Sequence, residues 1–158
     1  MAQLEVKIIP YSSKYRSAFR KLNEEWITTY FKMEKADHDA LDHPEEYILS
    51  RGGYIFVALL EDCPVGVCAL LKRDDPHYPY ELAKMAVSPE ARGKNIGWLL
   101  GRAVVDKAKQ LHANRLFLES NTILKPAIGL YQKLGFKKIV GPKTPYERCN
   151  IQMELELH

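Results

Sequence analysis

The sequence predicts a mixed α/β (α+β) domain, and three observations predict it. Short apolar or alternating runs of strand length recur between Gly, Pro and Asp clusters. Longer stretches repeat their apolar residues at helical intervals. The stretch from Glu81 to Leu100, ELAKMAVSPEARGKNIGWLL, joins a buried strand to a helix through a tight basic turn. At 158 residues the chain suits one domain over 1–158 with a sizeable core.

Leu4, Val6 and Ile8 alternate with charged residues, which reads as a half-buried strand stopped at Pro10. Ser12 or Ser13 can cap a helix running to about Met33. Its apolar face is Tyr15, Phe19, Leu22, Trp26 and Tyr30. Acids outnumber bases from Glu34 to Glu46, and Pro44 then opens a short second helix over HPEEYIL. Tyr54 to Leu60 and Val65 to Leu71 form an antiparallel hairpin. The key strand, Leu82 to Val87, stops at Ser88-Pro89. A helix follows from Ile96, with Leu99, Leu100, Ala103, Val104 and Leu111 on its apolar face. Arg115 to Glu119 is a strand. Lys125-Pro126 opens a helix with Ile128, Leu130, Tyr131 and Leu134 inward, capped by Gly135. Phe136 to Val140 is the next strand. Asn150 to Leu157 alternates Ile151, Met153, Leu155 and Leu157 as a last edge strand. The element order is β-αα-ββ-β-α-β-α-β-β.

Composition narrows the function. A net charge of +3, without basic residues interleaved with aromatics, argues against nucleic acid. The N-terminus lacks the apolar core of a signal peptide. The apolar region Tyr54 to Leu71 is broken by Glu61, Asp62 and Pro64, so no membrane span is expected. The three cysteines, Cys63, Cys68 and Cys149, have no metal spacing and read as free thiols of a reducing, cytoplasmic setting. His38 and His43 sit among acids at i,i+5, on different helix faces, so no metal is expected.

The turn Arg92-Gly93-Lys94-Asn95-Ile96-Gly97 is where chemistry concentrates. A helix N-terminus presents unpaired N–H groups and partial positive charge. Glycines admit a phosphate close to the backbone, Arg92 can fork onto its oxygens and Lys94 adds a point charge. The alternative is a capped helix start with solvated cations. Rossmann and P-loop spacings are both absent.

The turn resembles the pyrophosphate loop of the GNAT superfamily of N-acetyltransferases, Gln/Arg-x-x-Gly-x-Gly/Ala. Arg92 and Gly97 match, and Asn95 stands at the first glycine. Asn tolerates left-handed backbone, so the loop shape can persist; it is also a favoured N-cap whose side chain could occupy an amide. Asn121 after LFLES, and Ala127 to Phe136, AIGLYQKLGF, resemble two further stretches of the family. The resemblance covers the whole chain. It implies a mixed, mostly antiparallel central sheet splayed between its fourth and fifth strands, flanked by about four helices.

The resemblance also implies acetyl-CoA as acyl donor, without a metal, and a small-molecule or peptide amine as acceptor, attacking directly in a ternary complex. The oligomer, monomer or homodimer, is left open. The backbone at Met85 and Val87 would hold the pantetheine arm, with the Met85 N–H polarising the thioester. The amides of Arg92, Gly93, Lys94, Asn95, Ile96, Gly97 and Trp98 would meet the diphosphate. Asn121 would bond the pantetheine amides. Tyr131 would protonate the leaving thiolate; it also reads as a packed core tyrosine, and both can hold. Glu81 is the candidate base or an exposed strand end, with His77 and Tyr80 as weaker candidates. Trp26, Tyr30 and Phe31 read as core or as an amine-pocket wall. The acidic run reads as a solvated face or as a steering field for a cationic amine. Arg148 reads as an acceptor ligand or an ordinary salt bridge. A non-catalytic acetyl-CoA-binding module is the alternative to an enzyme.

Overall fold

The computed structural model describes residues 5–157, so Leu4 of the first expected strand lies outside them. β1 (Val6–Pro10) lies at one edge of a seven-stranded sheet and pairs antiparallel with the next strand in the chain, Tyr54–Leu60. Neither serine caps the first helix. A single 3₁₀ turn at Ser13–Tyr15 leads into α1 (Arg16–Tyr30), and Ser12 makes no capping bond. The helix ends before Met33, because Phe31 is already extended.

The buried stripe of α1 is Phe19, Asn23 and Ile27, continuing from Tyr15. Leu22 and Trp26 flank it, and Tyr30 is 48% exposed. A polar residue can occupy this stripe because Asn23 is satisfied within the helix. Its Nδ2 donates to the Phe19 carbonyl at 3.1 Å, and its Oδ1 accepts from Trp26 Nε1 at 3.2 Å.

The second helix is displaced from where Pro44 suggested. α2 spans Lys35–Asp42. Its third position, Asp37, accepts from the Glu34 N–H at 3.0 Å, which anchors the first turn. HPEEYIL is instead one wide turn over Glu45–Leu49, closed by Ser50 N–H to Glu45 O at 2.8 Å.

β2 (Tyr54–Leu60) and β3 (Cys63–Lys72) form the hairpin. Glu61 and Asp62 both have positive φ, the two-residue turn whose twist suits paired strands. β4 (Tyr80–Val87), α3 (Ile96–Gln110), β5 (Arg115–Ser120), α4 (Lys125–Leu134), β6 (Lys137–Ile139) and β7 (Ile151–Glu156) follow. The sheet order is β1-β2-β3-β4-β5-β7-β6. β7 is therefore internal, not an edge: β5 and β6 both pair with it. The edge falls to β6, which is only three residues long and carries exposed Lys137 and Lys138, features that discourage edge pairing.

β4 and β5 run parallel, so α3 supplies the crossover between them. They pair only at Tyr80–Leu116 and Glu81–Phe117 and part beyond. One face of the sheet buries Cys68, Leu70, Leu82 and Leu116 with α3 and α4. The other buries Ile55, Val57, Val67 and Ala86 with α1 and α2. At Gly97 an added Cβ would come 3.0 Å from Leu130, and at Gly101 2.6 Å from Leu134. Those two positions let α3 and α4 pack closely, which sets Tyr131 beside the start of α3.

Candidate active site

Where β4 and β5 separate, a cleft of about 370 Å³ opens. Every residue of β4 from Glu81 to Val87 lines it. That side of β4 has no strand partner past Glu81, so its backbone is free to bond an extended ligand. Glu119 and Asn121 line the opposite wall, Tyr131 enters from α4, and Trp26, Tyr30 and Phe31 come from the end of α1.

The strand bulges here. Val67 pairs with Ala86 and Ala69 with Ala83, so Cys68 faces two residues, Lys84 and Met85. Lys84 carries the bulge at φ +55°, left-handed backbone that costs a non-glycine residue roughly 1–2 kcal/mol.

At the mouth, Asn95 stands at φ +63°, ψ +21°, as a glycine would at that position. Its side chain makes no capping bond, so the first-turn amides keep their donors. Gly93 is also left-handed, and open space lies where a Cβ would stand. Arg92 and Gly97 line the cleft; Gly93, Lys94 and Asn95 lie exposed just beyond it. Ile96 and Trp98 pack their side chains on the core, leaving only their amides for a ligand. Exposed amides, exposed cations and room beside the backbone fit a diphosphate.

Glu81 is buried, with Oε1 accepting from Arg73 Nη1 at 3.0 Å. Burial, then the nearby Glu119 carboxylate, push the Glu81 acid up to about 7, against the pull of Arg73. Glu119 Oε2 is itself buried with no hydrogen-bond partner among the described residues. His77 and Tyr80, the weaker base candidates, do not line the cleft. Tyr80 sits beneath the Lys72 ammonium, 5.0 Å from its ring centre, and His77 is an exposed loop residue. Tyr131 is 7% exposed and packs edge-on to Phe136. Burial raises its phenol far above the ordinary value, so it stays protonated.

The residues matching the Acetyltransferase (GNAT) family model run from 19 to 136 and include this whole strand–turn–helix unit. The chain belongs to the GNAT acetyltransferase family. Human N-acetyltransferase 8B is 34% identical over 103 residues, 63% of this chain and 45% of that protein. The chain spans about half, or less, of the length of most curated relatives it matches. A GNAT-family acetyltransferase from Staphylococcus aureus Mu50 superposes with a TM-score of 0.85 at 22% identity, over 98% of this chain and all of that one. The yncA protein of Salmonella typhimurium, solved with its cofactor acetyl-CoA, superposes at 0.78 with 19% identity, over 98% and 95% of the two chains. At such identities the likeness is one of fold.

This GNAT chain adds a cluster that sequence spacing did not reveal. The Lys84 ammonium donates to Asp37 Oδ1 at 2.8 Å and to the Tyr146 hydroxyl at 2.9 Å. Arg148 clasps the same carboxylate from the other side, at 2.6 and 2.7 Å, and reaches Glu34 at 3.4 Å. Asp37 is fully buried. Burial alone would raise its acid, but Arg148 and Lys84 outweigh it and hold Asp37 down to about 2. Part of the acidic run is thus an anchor rather than a solvated face. Arg148 lines the cleft, yet its bidentate partner belongs to the protein itself. Asn121 also turns inward: its Nδ2 donates to the Arg148 carbonyl at 2.7 Å and its Oδ1 accepts from Ile123 N–H at 2.9 Å. One N–H of that amide is left without a partner among the described residues. No helix among the described residues is long and apolar enough to cross a membrane.

Proposed function

We propose that this protein transfers an acetyl group from acetyl-CoA to a primary amine, by direct attack in a ternary complex. One observation carries the reading. A single cleft holds the unpaired edge of β4, a buried carboxylic acid tuned near neutrality and a buried, protonated phenol. The unpaired edge, at Met85 and Val87, would bond the pantetheine arm. The amides from Arg92 to Trp98 would hold the diphosphate. Glu81 then takes a proton from the acceptor ammonium, since a free alkyl amine is protonated near pH 7. The amine nitrogen attacks the thioester carbonyl while the Met85 N–H supports the developing oxyanion. The C–S bond breaks, Tyr131 donates its proton to the departing sulfur, and the new amide nitrogen releases its remaining extra proton to solvent. Solvent re-equilibrates the two side chains, leaving an N-acetyl amine and CoA thiol.

Direct transfer is favoured over a covalent route by the state of Cys149, the thiol in the cleft. Burial and the Glu119 carboxylate push it up to about 11, so little thiolate forms near neutrality. Trp26, Tyr30 and Phe31 give the acceptor an apolar wall.

A thiol-release assay over a panel of amines tests the proposal. Acceptor-dependent release is expected, and Tyr131→Phe should lower turnover by ~10²–10⁴ with the fold retained. Unchanged turnover removes Tyr131 from the mechanism. Acetyl-CoA binding without release under any amine favours the non-catalytic module.

A further inference from the structure

The left-handed residue on β4 is a lysine rather than a glycine. Its place in the strand is specific. Leu82 packs on the core beneath α3, and so do Met85 and Val87. Leu82 and Met85 are three apart, a spacing a regular strand would put on opposite faces. The extra residue at the bulge corrects it, and Lys84 is sent to the other face together with Ala86. There its side chain is only 5% exposed, with the ammonium held between Asp37 of α2 and Tyr146 of the loop before β7.

We infer that Lys84 is a positioning residue for acyl transfer: its clamped ammonium fixes the bulge that turns the neighbouring Met85 amide toward the cleft. The inference rests on the acetyltransferase reading above. An ion pair serving only to join α2 to the sheet has no need of strained backbone. Ala86 already faces the α1–α2 side from regular strand geometry and could carry such a pair. The bulge instead lies on the edge that β5 leaves unpaired, three residues past Glu81, the last residue of β4 with a partner on that side. A side chain held at its far end by two partners from separate elements keeps that backbone geometry from relaxing.

The test compares wild type with Lys84→Met, which retains length and loses the charge. Calorimetry gives the acetyl-CoA Kd, steady-state kinetics gives kcat, and infrared spectroscopy of bound [1-¹³C]acetyl-CoA reads polarisation of the carbonyl. Losing alignment of one oxyanion donor should lower kcat by ~10²-fold, with the Kd within about threefold of wild type. The carbonyl band should move back toward its position in free acetyl-CoA. If Lys84→Met does not fold, Tyr146→Phe removes one of the two clamps and should give the same pattern at smaller amplitude. A folded variant with wild-type kcat and an unmoved band overturns the inference, even if its melting temperature falls. Wild type that gives no binding heat with acetyl-CoA fails at the earlier step and takes the underlying reading with it.

Discussion

Glu81 is held between opposing influences, and its protonation should be visible in activity and stability alike. Burial and Glu119 raise its acid to about 7, while Arg73 at 3.0 Å resists. A base works when ionised, so kcat/KM should rise with pH through about 7. Glu81→Gln should abolish that limb. Glu119→Gln removes a neighbouring negative charge and should move the limb to lower pH. A pH–rate profile of the three proteins checks this; an unmoved limb in Glu119→Gln would separate the two carboxylates. The stability sign follows from the raised value. The acid is favoured in the folded state, so its contribution is complete below about 4.5 and is lost as pH rises through about 7. A shift of that size corresponds to roughly 3 kcal/mol, readable by urea unfolding at the two pH limits.

At the scale of elements, the turn before α3 depends on left-handed backbone at Asn95. Asn95→Gly keeps that conformation without a Cβ and removes a side chain near the amides. It should leave stability within about 0.5 kcal/mol and tighten acetyl-CoA binding. Asn95→Val puts a β-branched side chain into the same region and should weaken binding by about tenfold or more. Calorimetric titration of the three proteins decides it; equal affinities would show that the turn does not hold the coenzyme. The neighbouring helix α4 was readable from its motif, because Pro126 near its start and left-handed Gly135 at its end are local signals. α2 was not. Its anchoring residue Asp37 reads as one acid among several, and only its distant cationic partners reveal it.

Across the whole molecule, Asp37 ties together α2, the bulge of β4 and the loop before β7. Its acid is held down to about 2, so the stability it supplies is present above its ordinary value of 3.8 and lost as pH falls toward 2. Asp37→Asn leaves Lys84 buried without its counter-charge and Arg148 with only its longer contact to Glu34, and should cost about 3–5 kcal/mol near neutral pH. Denaturant unfolding at pH 7 measures that cost, and the variant's acid transition should be flatter between pH 4 and pH 2. The same view explains why a ligand should stabilise this fold strongly. The sheet is unpaired where β4 and β5 part, and an extended coenzyme arm would bridge the gap. At a hundredfold excess over Kd, acetyl-CoA should add about 2.7 kcal/mol, seen as a concentration-dependent rise in melting temperature.

The sequence by itself determined the order of the strands and of α1, α3 and α4, the basic turn before α3 and the place of Tyr131. Each depends on signals a few residues long: alternation in Tyr54 to Leu71, helical spacing after Ile96, the run from Ala127 to Phe136. Only the tertiary structure decided that β7 lies inside the sheet, that Asn23 joins the buried stripe of α1, and that Lys84 is turned across the sheet. Lys84 and Arg148 meet Asp37 from 47 and 111 residues away. Glu119 alters Glu81 through burial and charge that exist only once β5 is laid beside β4. Period and propensity act along the chain, whereas desolvation and charge pairing act across space, and the fine tuning of this site belongs to the second kind.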